Sequence, residues 1–511
     1  MHKWIRTTFI LIAMLVLLGA CGGDAPTEVP PTDPPPTLPP AEPTSEVTLP
    51  DLEESQPTAT LELPDLPSEP AESAPEISVP DTPLSSSGPW LVIVAGDGIW
   101  AANQDGSGMT HLLNTPLDDW FYSGAAVSAD GGLVAFLNGS DRYSDLSLTI
   151  FSIPERRVLR TIPLTTEETE PAGGAGLTDA VEAVRAISDF GSFAFSPDSS
   201  MLGFMGVIEG DSSDLYVYDI AEDTITRITD GPSQGFHVYW SPDSEYIFHF
   251  GAETFGTGAG YLMDGAWAAR ADEGGVLSVY DPPEQGAEEF VGWLDDDTVI
   301  VNSWNPRCGS NNLRSVNIQD GDTQVLWADA FNDIFFDART GLLAIASGIE
   351  GADCNPQERM GVYFVPLNGS QPRQILEGRT RYILQDELDS NIVAIDENDV
   401  PILILPDGRV VPLNAPPQNF GYVRPSISPN SQWIAWPSDQ GWIGRQEATG
   451  SYTLESVLSE RCWNAFWSRD SNTVFFITSQ GLSIAYAPDF VSLQIMANAS
   501  LNNASVFWMV P

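Results

Sequence analysis

Val238-Tyr239-Trp240-Ser241-Pro242-Asp243-Ser244, followed at once by the apolar run Tyr246-Ile247-Phe248, is the stretch that decides the fold. Proline presets φ at about −65° for the first corner of a turn, and Asp accepts a hydrogen bond from a backbone N–H two residues on. The stretch therefore reads as strand, tight turn, strand. It returns as Phe193-Ala194-Phe195-Ser196-Pro197-Asp198-Ser199 before Met201-Leu202-Gly203-Phe204, and as Ala126-Val127-Ser128-Ala129-Asp130-Gly131 before Leu133-Val134-Ala135-Phe136. Looser copies start at Val291, Ile334, Ser426 and Ala465. Behind the hairpin comes a third run such as Leu215-Tyr216-Val217-Tyr218, then a fourth such as Thr224-Ile225-Thr226-Arg227.

Most copies start about 40–50 residues apart, the size of one four-stranded propeller blade. With Asp97-Gly98-Ile99-Trp100 leading into Gln104-Asp105-Gly106-Ser107-Gly108-Met109-Thr110, the Trp-Ser-Pro-Asp-Ser pattern resembles the TolB-type, WD-repeat-like β-propeller repeat. The resemblance covers residues 90–511. It implies an all-β propeller of four-stranded blades and implies no one function, because such propellers serve unrelated roles. Only two copies keep Ser-Pro-Asp intact, and the copy near 381–413 lacks it. First and fourth strands count to nine units; propellers usually have four to eight blades, so eight is the expectation and nine stays open. Trp90 to Leu113 supplies three strands without a first one, and Val506-Phe507-Trp508-Met509-Val510 supplies a lone first strand. The C-terminal strand is therefore expected to complete the N-terminal blade and close the ring. Residues 165–190 interrupt the period. Within them Leu177 to Ile187 reads as a short helix, either a lid over the channel mouth or a surface decoration.

The 511 residues carry 71 Asp+Glu against 21 Lys+Arg, a formal net charge of −50. Nucleic-acid binding needs cations to displace phosphate counterions, so that class is excluded. Residues 1–20 read as a signal peptide: Lys3 and Arg6, then a short apolar run to Leu18, too short to span a bilayer. Leu18-Gly19-Ala20-Cys21 resembles the lipobox of bacterial lipoproteins, which implies acylation at Cys21. Residues 21–88 read as a lipidated Cys followed by an extended tether. From 24 to 88 there are 17 prolines and 14 acidic residues, with no Lys, Arg, Phe, Trp or Tyr. Such a segment has nothing to bury and repels itself. Beyond the signal all 19 basic residues are Arg, and the net charge is −52, of which the tether carries −14 and the body, 89–511, carries −38.

Candidate chemistry is sparse. Gly231-Pro232-Ser233-Gln234-Gly235 matches G-x-S-x-G, but a nucleophile elbow needs a following helix and the flanks here read as strands. Ser468-Arg469-Asp470-Ser471 sits where its sister copies are turns. His111, His237 and His249 lack ligand spacing, so no metal site is expected; Asp295-Asp296-Asp297 could take Ca²⁺ weakly, and no cofactor is expected. Cys308 and Cys354 fall in equivalent second-to-third-strand loops of consecutive blades, and export permits oxidation, so a Cys308–Cys354 disulfide is expected with Cys462 left unpaired. The same face gathers Trp304, Asn305, Arg307, Asn311 and Asn312 from one loop and Asp353, Asn355 and Glu358 from the next. Trp120 and Tyr122 precede a first strand. Aromatics beside amides and charges suit sugar or peptide capture.

No catalytic set emerges. The expectation is a monomeric, lipid-anchored, extracytoplasmic binding or scaffold module meeting a protein, peptide or glycan at the propeller face. The alternatives are an envelope hydrolase with carboxylates at the channel mouth, and a ligand-sensing subunit of a membrane complex.

Overall fold

The computed structural model describes residues 79–117, 124–140, 143–166, 179–188, 190, 192–255, 261–272, 275–280, 286–305, 308–348, 359–385, 391–396, 400–414, 425–447, 452–497, 501 and 504–509. The signal, Cys21 and the tether up to 78 lie outside them.

The described strands group into nine four-stranded antiparallel blades. Blade 1 takes Ser505–Met509 as its first strand and Trp90–Ala95, Gly98–Asn103 and Thr110–Asn114 as the rest. Blades 2 to 4 span 126–163, 193–227 and 234–280; blades 5 and 6 span 287–327 and 333–377; blades 7, 8 and 9 span 380–414, 426–458 and 462–497. The expected eight is thus corrected to nine. Blade 7 is the copy near 381–413. It has no Ser-Pro-Asp turn, yet Thr380–Gln385, Ile392–Asp396, Pro401–Ile404 and Val410–Asn414 pair in order as four strands. Short, nearly continuous apolar runs buried on both faces suffice to build a blade, and the turn signature is dispensable. Blade 7 is also joined to blade 8: Leu413 and Asn414 pair in parallel with Tyr452 and Thr453, fusing the two outer strands into one eight-stranded sheet. In blade 1, Trp90 to Val94 pair antiparallel with Met509 to Ser505.

First strands are buried and fourth strands are exposed: Phe193 and Phe195 lie in the core, whereas Thr224, Ile225 and Thr226 face solvent. The core is a series of seams between adjacent sheets, with Phe204, Trp436, Trp467 and Phe475 at 1% exposure or less. The Ser-Pro-Asp signature explains itself in these seams. In blades 2, 3, 4, 8 and 9 the Ser hydroxyl (Ser128, Ser196, Ser241, Ser428, Ser468) donates to the turn Asp or Asn at 2.5–2.8 Å. The same hydroxyl accepts the N–H of the first residue of the returning strand at 2.9–3.0 Å. At Asp198, burial pushes the carboxyl up, but the hydrogen bonds from Ser196, Ser200 and Ser244 outweigh it and hold the group below its ordinary range.

The next corner is left-handed, at φ 64°, 67° and 63° for Ser199, Ser244 and Ser471, and 68° for Gly131. Non-glycine residues resist this conformation. Ser431 takes the same corner at φ 58°, and at Ser199, Ser244 and Ser471 the Oγ also serves the preceding blade, accepting the N–H of Asp130, Asp198 and Asn430 in turn, at 2.9, 3.2 and 3.1 Å. Blade 1 draws its first strand from the C-terminus and has no such turn to hand on, and blade 2 carries Gly131. Each signature Trp adds a second latch. Trp240 Nε1 donates to Ala194 O at 2.8 Å, Trp467 Nε1 to Ser426 O at 2.8 Å and Trp293 Nε1 to Tyr239 O at 3.2 Å, each time to the first strand of the blade before.

Two further elements differ from the sequence expectation. The body begins before Pro89: Leu84 and Val79 pack against the blade 1 region, Asn103 Nδ2 donates to Pro83 O at 3.0 Å, and Trp90 Nε1 donates to Ser85 O at 2.9 Å. The helix of the insert, α1 (Asp179–Ser188), buries Ala183, Val184 and Ile187 in one hydrophobic cluster with Phe193, Phe204 and Trp240. It is part of the core of blades 3 and 4 and no surface decoration.

Trp467→Phe removes one indole latch and opens a small void. It is expected to lower unfolding free energy by about 2–3 kcal/mol. A urea midpoint equal to that of the parent chain would show that the latch adds no net stability.

Candidate functional site

Second-to-third-strand loops and fourth-to-first-strand connections emerge on one side of each blade, here termed the loop face. Blades 4 and 5 stand tall on it. Their middle strands run ten and ten residues (Tyr246–Phe255, Tyr261–Arg270) and eight and nine (Thr298–Asn305, Gly309–Asn317), against six in blade 3. The extra length carries polar and aromatic side chains beyond the apolar core.

Three seams meet this face. Between blades 3 and 4, Asp214 is buried and fully engaged: it accepts from Arg227 at 2.6 Å, Ser212 at 2.9 Å, Thr229 at 3.0 Å and the N–H of Gly231 at 2.9 Å. His249, 4% exposed, lies nearby against the Trp267 ring; burial pushes its pKa down to about 4, so the imidazole is neutral. Ser233 donates to the Asp264 carboxylate, and the residues after it form the strand Gln234–Trp240. A strand in place of a helix removes the nucleophile-elbow geometry.

Between blades 4 and 5, Glu288 and Arg314 form an ion pair of 2.7 Å with side-chain exposures of 1% and 12%. Ser303 donates to Glu288 at 2.7 Å, and the guanidinium lies over the Tyr280 ring at 5.0 Å. Burial, and then the Glu288 charge, push the Tyr280 hydroxyl well above its ordinary pKa. Alongside, a bulge after Phe236 puts His237 at φ 62° and turns it into an aromatic group with Phe190, Tyr239 and Phe250, while Tyr239 stacks on Phe290 at 4.0 Å. Bulges re-aim side chains in this way.

Between blades 5 and 6, Asn302 Nδ2 donates to Glu289 Oε2 at 2.9 Å, and Ser310 Oγ reaches the same oxygen at 3.5 Å. Ser310 bridges to Phe331, whose neighbour Asn332 donates through Nδ2 to Thr380 O, the start of blade 7, at 2.8 Å.

The sequence-predicted residues divide as follows. Trp304 and Asn305 end the second strand of blade 5. Asn311 and Asn312 belong to the third strand and are not in a loop, because the hairpin is longer than expected. Asn311 Nδ2 donates to Gly309 O at 2.8 Å, and Asn312 Nδ2 points to Ser303 Oγ at 3.4 Å. Cys308 is disulfide-bonded and buried, whereas Cys462 is free, buried and pushed up to about 12 by burial, an inert thiol. Arg307, Cys354, Asp353, Asn355, Glu358, Trp120 and Tyr122 lie outside the described residues. Sequence reasoning missed Glu288, Glu289, Asn302 and Arg314. The legible signal was a polar residue closing an apolar run, as in Val299-Ile300-Val301-Asn302. Among the described residues no group of three or more His, Cys, Asp or Glu could hold a metal ion, and no helix is long and apolar enough to cross a membrane.

No family model and no curated protein matches this chain. Solved structures similar to it include dipeptidyl peptidase 4 from Porphyromonas gingivalis, at 12% identity and TM-score 0.44, covering 74% of this chain and 60% of that one. TolB from Acinetobacter baumannii matches at 12% identity and TM-score 0.30, covering 56% and 63%. The β-propeller domain of the Trilobed protease from Pyrococcus furiosus matches at 14% identity and TM-score 0.35, covering 65% and 92%. The chain spans about three-fifths of the length of the first two. What these likenesses share with this chain is the propeller fold; they say nothing of its activity.

His249 makes stability depend on pH. Its folded pKa of about 4 lies below the ordinary 6.5, so the unfolded state takes up a proton first as pH falls. Its contribution is complete above pH 6.5 and is lost progressively down to about pH 4, up to about 3 kcal/mol in all. Urea midpoints measured from pH 7.5 to 5 are expected to fall, and a His249→Gln variant is expected to flatten that slope; parallel slopes would refute the assignment.

Proposed function

We propose that this propeller is a lipid-anchored binding or scaffold module of the cell envelope, receiving its partner on the loop face of blades 4 to 6. The observation that carries this reading is the asymmetry of the blades. Blades 4 and 5 also bear a buried ion pair, a histidine re-aimed by a bulge and a disulfide-bonded cysteine, and a buried ion pair is no gain in stability over an apolar core. The lipobox-like Cys21 and the Pro- and acid-rich segment after it support an anchored, outward-facing body. The pairing of Trp90–Val94 with Ser505–Met509 supports closure of the nine blades into a ring, which leaves the loops as the variable surface.

Among the described residues the buried carboxylates Asp214, Glu288 and Asp337 are each held by an arginine. A general acid needs a carboxyl poised near the working pH, so these pairs favour binding over hydrolysis. A mature chain with Cys21→Ser, screened against peptides and glycans with Ca²⁺ and with chelator, is expected to show saturable binding weakened by truncating Trp304. A flat response to every class would count against the binding role.

We infer further that Cys354 is the partner of Cys308, pinning the tall hairpin of blade 5 to the loop of blade 6. Peptide mapping without reduction is expected to recover one linked species containing both cysteines. A peptide joining Cys308 to Cys21 would contradict it.

A further inference from the structure

Residues 79–88 belong to no blade, yet they are fastened to three. Val79 packs against the cluster in which Leu91 and Ile93 of blade 1 meet Phe475 and Ile484 of blade 9. Further on, Leu84 packs against the cluster in which Trp90 and Val92 of blade 1 meet Val134 and Phe136 of blade 2. The segment therefore crosses blade 1 from one neighbour to the other. Around Leu84 it is buttoned to the end of the third strand. The Asn103 amide is used at both atoms: Oδ1 accepts the N–H of Ser85 at 2.9 Å, and Nδ2 donates to Pro83 O at 3.0 Å. Trp90 Nε1 donates to Ser85 O at 2.9 Å, and Arg156 of blade 2 donates to Leu84 O at 3.5 Å. The main chain of Leu84 lies so close to the turn before the fourth strand that a Cβ on Gly108 would stand 2.4 Å from the Leu84 nitrogen. Gly108 also takes φ 64°, so both space and conformation call for glycine there.

Blade 1 has particular need of a fastening, because it is assembled from two distant parts of the chain. Its second strand opens at Trp90, which pairs with Met509 on one side and with Asn103 on the other. The strands are antiparallel, so the chain enters Trp90 and leaves Met509 at the same end of the ladder. A pull that draws these two flanks apart loads the end pair alone and peels the strands one pair at a time. Bonds loaded in turn yield at a lower force than bonds loaded together. In this fold a pull from the N-terminal side reaches Val79 and Leu84 before it reaches Trp90. To pass them it must withdraw two apolar side chains and break the paired Asn103 bonds together.

We propose that residues 79–88 form a clasp that takes tension arriving from the N-terminal side and keeps it from peeling the two-part blade. The clasp is separate from whatever the loop face binds. It rests on the anchored placement proposed above only for the source of the tension.

Optical-trap stretching of the full mature chain, held by handles at its first residue and after Pro511, tests it. The instrument supplies the pull, so the outcome does not depend on acylation of Cys21 or on any ligand. The parent chain is expected to resist until the clasp yields and to open blade 1 in the same event. The double variant Val79→Asp with Leu84→Asp changes the clasp alone, and Asn103→Ala changes its seat on the blade. Both are expected to lose that resistance and open blade 1 at a lower force. Held instead through Glu222→Cys and Asp320→Cys, in exposed turns of blades 3 and 5, the same variants are expected to match the parent. An unchanged opening force in both variants overturns the proposal. An equal fall at the blade 3 and 5 handles also overturns it, since that is general weakening. So does a parent chain that first frees 79–88 as a separate step of roughly 35 Å, at about 3.3–3.6 Å per residue, and opens blade 1 only at a higher force.

Discussion

A four-stranded blade is apolar on both faces and has only its outer strand to offer to water, so everything in this molecule follows from the need to cover each sheet with the next. Covering is chiefly hydrophobic and nearly directionless. Direction comes from the latches. The indole N–H of Trp240 or Trp467 reaches back to one particular carbonyl of the previous first strand, and the turn serine accepts one particular N–H. An apolar seam alone would tolerate sliding; a seam with a fixed donor and acceptor at its inner edge has one register. The signature Trp-Ser-Pro-Asp-Ser is therefore a device for fixing neighbours to each other as much as for turning the chain.

That dual role explains what the amino-acid sequence disclosed. The turns are local, and their residue types follow from φ preferences and side-chain hydrogen bonds, so blades 2, 3, 4, 8 and 9 are plain from five residues each. Blades 5, 6 and 7 use Leu294-Asp295-Asp296, Asp337-Ala338-Arg339 or no recognisable turn at all. There the strands are specified by burial alone, which leaves no short motif; the strands still counted to nine, and the expectation of eight came from the usual range of blade numbers. The helix was visible from Val181 and Val184 and their spacing. That it joins the core could not be read, because its partners Phe204 and Trp240 are distant in sequence.

The candidate site was less legible still, for a physical reason. Glu288 and Glu289 are adjacent in sequence but point to opposite sides of their strand, one to Arg314 and Tyr280, the other to Asn302 and Ser310. Strand alternation separates them into two environments, neutralised and unneutralised, and nothing in the dipeptide announces which is which. The loop-based expectation named Trp304, Asn311 and Asn312 on the same blade. It missed the deeper residues because polar groups inside apolar strands look like exceptions until their partners are placed.

The joined outer strands of blades 7 and 8 have a mechanical meaning. Elsewhere among the described residues, main-chain contact between blades is limited to single hydrogen bonds, as from Gly235 N–H to Ser213 O at 2.7 Å and from Phe331 N–H to Ser310 O at 2.9 Å. At Leu413–Tyr452 and Asn414–Thr453 the rims are tied by main chain. That tie makes the two blades one continuous sheet, stiffer against shear than a seam closed by side chains and single main-chain bonds.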